Sequence, residues 1–396
     1  MRCFPFILAL LLAQVGFGQS KLPPVIQATS SRVAIRDGAF LDKNAWSLSP
    51  KIRPDVFTAD RTRQPKWVTF YTDIDSIRVK VKPGSTFDFV VLLNGKDSCF
   101  TRIASAIPPD RNVPSAKRTH DTIPFVLTAY NTIHVKAIIN RRDTVSLYFD
   151  IGSFDFRLTK EAILKRTKLL ASQPDAVAGK AQPDFTRRET VVTLQMGKSI
   201  WTNPTVVVTG LAAHDMDGRF GWNLFEGKAV EIDYDKGLLI IHSSMPKHIS
   251  GYTRSKIDFI RSFVCMDGTL TIAARRYKGK FLLDTGADSA MILDSAWLAA
   301  RHIPTELPLI RKLALTDPRG VKYQTRVVRI PGLTVSDFAL SRVPAMLLGI
   351  KRPLDFEINY FGNDLLKRFN TILDFRNDHI YLKPNSLFNL PYRENS

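Results

Sequence analysis

The sequence predicts an all-β chain of two duplicated lobes behind a small β domain, on three observations. Short runs alternating apolar and polar residues recur along the chain, as in RQPKWVTFYTDIDSIRVKVKPGSTFDFVVLLNG at 63–95, broken at KPG and NG where a chain turns. Two stretches, YFDIGS at 148–153 and LLDTGA at 282–287, each set an apolar run into an aspartate, one further residue, a glycine and a small residue. Each is followed by a matching tail, DGRFGWNLFEGKAVEIDYDKGLLIIHS at 217–243 and INYFGNDLLKRFNTILDFRNDHIYLKP at 358–384.

The spacings turn this likeness into a duplication. Asp150 precedes Gly221 by 71 positions and Asp233 by 83, while Asp284 precedes Gly362 by 78 and Asp374 by 90. Both intervals grow by the same amount, as one insertion between motif and tail would make them.

In chain order, residues 1–18 carry Arg2, an apolar run and then Gly16 and Gly18, the pattern of a cleavable export signal. Cys3 lies before that run and leaves with it. No later stretch is apolar for long enough to cross a bilayer, so no transmembrane anchor is expected. The expected location is exported: periplasmic, cell-surface or extracellular. Residues 19–118 form an N-terminal β domain closed by a polar, proline-containing linker at 106–120. The first lobe occupies 119–255 and the second 256–396. A short helix is predicted at 159–171 with Thr159 as N-cap, and another from Asp294 through SAWLAAR. Several hairpins could serve as a flap, and the sequence does not choose among them.

The 396 residues exceed what one core usually fills, and the hydrophobic fraction of 44% supplies two or three. The net charge is +19, or +18 once Arg2 is removed. Its basic residues are dispersed, and the densest patches, RRYKGK at 275–280 and LKRTK at 164–168, lack interleaved aromatics. That argues for a solvated basic surface, open to an anionic surface partner, and against a nucleic-acid groove. Cys99 and Cys265 would be a disulfide or two buried thiols.

A lone aspartate at a strand end is usually a turn residue; duplication singles out Asp150 and Asp284. A twofold axis between lobes would bring their carboxyls together, and two carboxylates about 3 Å apart share a proton. A water between them then has a base on one side and an acid on the other. Gly152 and Gly286 let the backbone pass close and donate N–H groups; Ser153 can hydrogen-bond nearby, whereas Ala287 cannot. Thr285 can donate its hydroxyl to the opposite lobe, whereas Ile151 cannot. Asp217, Asp233, Asp364 and Asp374 read as structural, and Trp222 as lobe packing. The seven histidines are dispersed, HDMDG at 214–218 reads as a surface turn, and there is no G-x-S-x-G or C-x-x-C. No metal or cofactor is called for.

On these motifs the chain resembles the aspartic peptidases, the bilobed pepsin-like and retropepsin-like enzymes, and especially exported bacterial proteins with an extra N-terminal β region. The resemblance covers 121–386 and implies an acid-protease-like pair of β-barrels. LLDTGA fits the family motif throughout, and YFDIGS fits except at Ile151. The resemblance also places an apolar-apolar-glycine element behind each catalytic loop, matched by RFG ending at Gly221 and YFG ending at Gly362, with Arg219 where an apolar residue is usual. It implies an endopeptidase acting on polypeptide through Asp150 and Asp284, monomeric because one chain holds both half-sites. The alternative is a catalytically weak or inactive relative that binds peptides or serves a structural role in the envelope.

Overall fold

Strand Ile133–Ile139 buries Ile133, Val135, Ala137 and Ile139 and leaves the residues between them more open, the period-two pattern of a sheet with one apolar face. It pairs antiparallel along its whole length with Asp143–Asp150, which carries the first aspartate at its end. Strands Phe263–Ile272 and Arg275–Asp284 repeat this hairpin in the second lobe and end on Asp284. The computed structural model describes residues 22–109, 120–210, 212–247, 249–316, 322–349 and 356–394. The expected signal at 1–18, Cys3 and most of the 106–120 linker lie outside them.

The chain divides into two units, 1–59 with 64–105, and 60–63 with 106–396. In the first, two four-stranded sheets face each other over Val33, Ile35, Val68, Phe70, Phe89, Val91 and Cys99. The four residues 60–63 belong to the second unit, a placement nothing in the sequence pattern suggests. Arg61 is buried there, donating to Glu226, Asp378 and the Phe375 carbonyl while its guanidinium lies 3.8 Å from the Phe259 ring centroid.

In the second unit each lobe has its own eight-stranded sheet. Within each, the aspartate strand lies parallel to a short glycine strand, Gly218–Gly221 or Asn359–Gly362, in one register: Asp150 opposite Gly221, Asp284 opposite Gly362. A third strand, Phe156–Thr159 or Met291–Leu293, lies antiparallel on the other side. The two lobes are thus copies of one topology, the duplicated, bilobed all-β architecture expected from the sequence.

A six-stranded sheet joins them, with Ala229–Asp233 antiparallel to Phe369–Asp374 at its centre. Gly221 and Gly362, like Asp233 and Asp374, are 141 positions apart. Under that correspondence the pairs Val230–Leu373 and Ile232–Thr371 exchange, and Glu231–Ile372 maps onto itself. The pseudo-twofold axis therefore passes through the Glu231–Ile372 pair.

The first helix is shorter than predicted, Lys160–Lys165 rather than 159–171, although Thr159 caps it by accepting from Ala162 N at 3.0 Å. A local bond and a tertiary one end it: Thr167 Oγ1 donates back to the Ile163 carbonyl, and Lys168 N donates to Asp143. The second helix, Ser295–Ala300, is capped by Asp294. Strands Leu309–Thr316 and Lys322–Val335 pair antiparallel in the second lobe, and residues 317–321 lie outside the described residues.

Candidate active site

Each aspartate leaves its strand into a tight turn, with Ser153 N donating to the Asp150 carbonyl and Ala287 N to that of Asp284. The glycine strands hold these turns from behind. Trp222 N donates to Ser153 O at 3.1 Å, and Asn363 N to Ala287 O at 2.7 Å. The backbones approach so closely that a Cβ on Gly221 would lie 2.1 Å from Ser153 O, and one on Gly362 2.1 Å from Ser289 O. No other residue fits either place.

The two carboxyls converge on the same pair of glycines, and the charge of Asp284 acts on Asp150. Gly152 and Gly286 flank both: a Cβ at 152 would stand 3.1 Å from Asp150 Oδ1 and 3.2 Å from Asp284 Cγ, and one at 286 3.2 Å from Asp150 Cγ and Asp284 Oδ1. Their surroundings differ. Asp284 Oδ1 accepts from Gly286 N at 2.9 Å and Ala287 N at 3.1 Å. Asp150 Oδ2 accepts from Arg219 Nη1 at 3.1 Å, while its buried Oδ1 has no well-formed hydrogen bond among the described residues, although the nearby Gly152 amide also lowers the pKa of this carboxyl. A proton on the facing carboxyl would satisfy that oxygen. Burial pushes both carboxyls above the ordinary carboxylate range; the Asp284 charge adds to the rise at Asp150, and Arg219 opposes it.

Thr285 is buried between the lobes, donating to Phe149 O at 2.9 Å and accepting from Ile151 N at 2.9 Å. Ile151 is buried in the apolar core and has no hydroxyl to return. Ser153 turns away from the carboxyls and bonds Asp155 Oδ1 at 2.8 Å.

A second pair of ties follows the twofold. Trp222 Nε1 donates to Ser262 O at 3.0 Å, and its counterpart Asn363 donates through Nδ2 to Asn131 O. Asn131 and Ser262 both adopt positive φ, 58° and 66°, which turns their carbonyls to receive these donors.

Arg219 is the residue whose role the sequence does not reveal. It reads there as a departure from an apolar position, yet its guanidinium touches Asp150 and the Tyr148 hydroxyl. The signal lay in the register: Tyr148 stands two places before Asp150 as Arg219 stands before Gly221, so the pair share a face. Burial pulls the Arg219 pKa down, but Asp150, Tyr148 and Asp155 outweigh it and hold the group above its usual value.

The remaining aspartates serve structure. Asp233 and Asp374 accept hairpin amides from Lys236 and Arg376, Asp217 accepts from Ser146 N, and Asp364 accepts from Arg393 N. Cys99 and Cys265 are separate buried thiols. Among the described residues, no group of three His, Cys, Asp or Glu side chains could hold a metal ion.

No family model and no curated protein matches the chain. Among solved structures, the chain is similar to an aspartic proteinase from Irpex lacteus, with 12% identity and a TM-score of 0.43, covering 69% of this chain and 100% of that one.

Proposed function

We propose that the chain is an exported aspartic-type endopeptidase, acting on polypeptide through a water activated between Asp150 and Asp284. The observation that carries this reading is the convergence of two buried carboxyls from twofold-related strands, one oxygen of Asp150 without a well-formed hydrogen bond among the described residues. The ionised member takes the proton of the attacking water, and the protonated member donates to the substrate carbonyl. The reading takes the export signal expected at 1–18 to carry the activity outside the cytoplasm.

The test is hydrolysis of varied peptides from acid to neutral pH. Activity is expected to fall at least about a hundredfold in Asp284→Asn, to survive chelators and serine-directed reagents, and to be blocked by a statine-type transition-state mimic. Folded protein without turnover on any peptide would refute the reading.

The second reading, a peptide-binding relative without chemistry, draws on Arg219. A guanidinium 3.1 Å from Asp150 favours the doubly ionised pair, which has no acid to offer. It predicts peptide binding that survives Asp284→Asn.

A further inference from the structure

Beside Asp150 the first lobe holds a cavity of about 330 Å³ lined by Tyr148, Arg157, Thr209, Ala212, Ala213 and Arg219. Its floor is a row of paired positions, Tyr148 opposite Arg219 and Arg219 opposite Arg157. Like charges directly across a strand pair repel, so two adjacent arginines need an anion. Asp155 serves one of them fully, lying 2.6 Å from Arg157 Nη2 but 4.0 Å from Arg219 Nη2. Besides the Tyr148 hydroxyl, the other acid against Arg219 is Asp150, whose carboxyl burial and Asp284 push toward the protonated, neutral form against the pull of Arg219. With that proton in place the cavity faces two guanidiniums and one carboxylate. Arg157 and Arg219 each keep about a third of their side-chain surface open, 35% and 29%. The two alanines leave room for one incoming side chain.

We propose that this cavity is a subsite for an acidic side chain, Asp or Glu, of a polypeptide whose bond lies against Asp150 and Asp284, with Arg157 and Arg219 as its specificity-determining residues. The proposal rests on the peptidase reading for the placement of the peptide. A carboxylate entering here accepts from the Arg219 guanidinium and from the Arg157 Nη1 edge that Asp155 leaves open, charge-assisted bonds that an amide of the same shape cannot match.

The test uses the full chain, a mixed peptide library with cut sites read by mass spectrometry, and labelled peptide pairs differing only in Glu or Gln. Acidic residues should be enriched at one position near the cut, with kcat/KM for the Glu peptide about tenfold or more above that for Gln. Arg157→Gln should bring that ratio close to one, and Arg157→Glu should turn the preference toward a Lys peptide. Hydrolysis with no acidic preference, or a ratio unmoved in Arg157→Gln, overturns the subsite and leaves the peptidase reading standing. Should nothing be cleaved, fluorescence anisotropy with the same pairs decides. Tighter binding of the Glu peptide, lost in Arg157→Gln, retains the subsite and sinks the peptidase; equal binding sinks both.

Discussion

The Thr285 hydroxyl holds the backbone on both sides of Asp150, donating to Phe149 O and accepting from Ile151 N, each at 2.9 Å. One lobe therefore grips the other, and the residue at 151 returns no side-chain bond. Removing the hydroxyl with Thr285→Val leaves a buried carbonyl and amide without partners. That should cost about 1–3 kcal/mol of stability and most of any hydrolysis, read by denaturant titration and peptide turnover on the same sample.

Ile151→Thr tests whether the missing hydroxyl matters. Ile151 is embedded in the lobe core, so the substitution trades apolar packing for a hydroxyl in an apolar setting. Stability should fall by about 1–2 kcal/mol, and turnover should rise no more than about twofold, well under the tenfold that 1.4 kcal/mol would bring. A large gain would show that the grip by Thr285 alone is insufficient.

The paired carboxyls should cost stability near neutral pH. Both folded-state values lie above the ordinary 3.8, so the pair's contribution is fully present below that value and is lost as pH rises through the raised ones. In Asp284→Asn the amide oxygen can keep the Gly286 and Ala287 donors while its NH₂ supplies the donor that Asp150 Oδ1 lacks. Asp150 then ionises opposite Arg219. The variant should melt above wild type at neutral pH, by the equivalent of about 1 kcal/mol or more, with the gap closing in acid. Equal or lower melting temperatures at every pH would remove the argument for a shared proton.

Arg219→Leu should shift the pH profile. The guanidinium lowers the Asp150 pKa against the upward push of burial and Asp284. Without it the pair holds its proton to higher pH, so the alkaline limb of kcat/KM on a neutral peptide should move up, by roughly one unit. An unmoved limb would mean that the contact does not govern protonation.

Arg61→Leu should be costly although the residue is remote in sequence from the lobes. Its side chain is 1% exposed and its partner Glu226 5%, so the substitution strands a buried carboxylate. The expected loss is about 3–5 kcal/mol, visible as a lower denaturation midpoint. A loss under about 1 kcal/mol would mean that water reaches Glu226.

The duplication was readable because it left equal changes in spacing, and the strands because alternation survives wherever one face is buried. Position alone singled out Asp150 and Asp284, at strand ends in repeated contexts. Ser153 was less legible: its hydroxyl has the carboxyls and Asp155 within reach, and only the fold decides between them. Arg219 and Arg61 were not read for a shared reason. Each acts through partners more than 60 positions away, and which groups meet depends on strand register or on the assignment of residues 60–63 to the second unit. The predicted helix overran because propensity says nothing of the bond from Lys168 N to Asp143 that draws the chain off.

Across the axis, the counterpart of Arg219 is Tyr360, 141 positions on, and it faces Leu282 as Arg219 faces Tyr148. Had the two halves been separate identical chains, any cation gained beside one acid would have arrived beside both, stripping the centre of its last proton. Fusion into a single polypeptide lifts that obligation. Each half can then change alone, one acquiring a charge while the other keeps a neutral ring, so that the charge beside Asp150 is adjustable from a single flank.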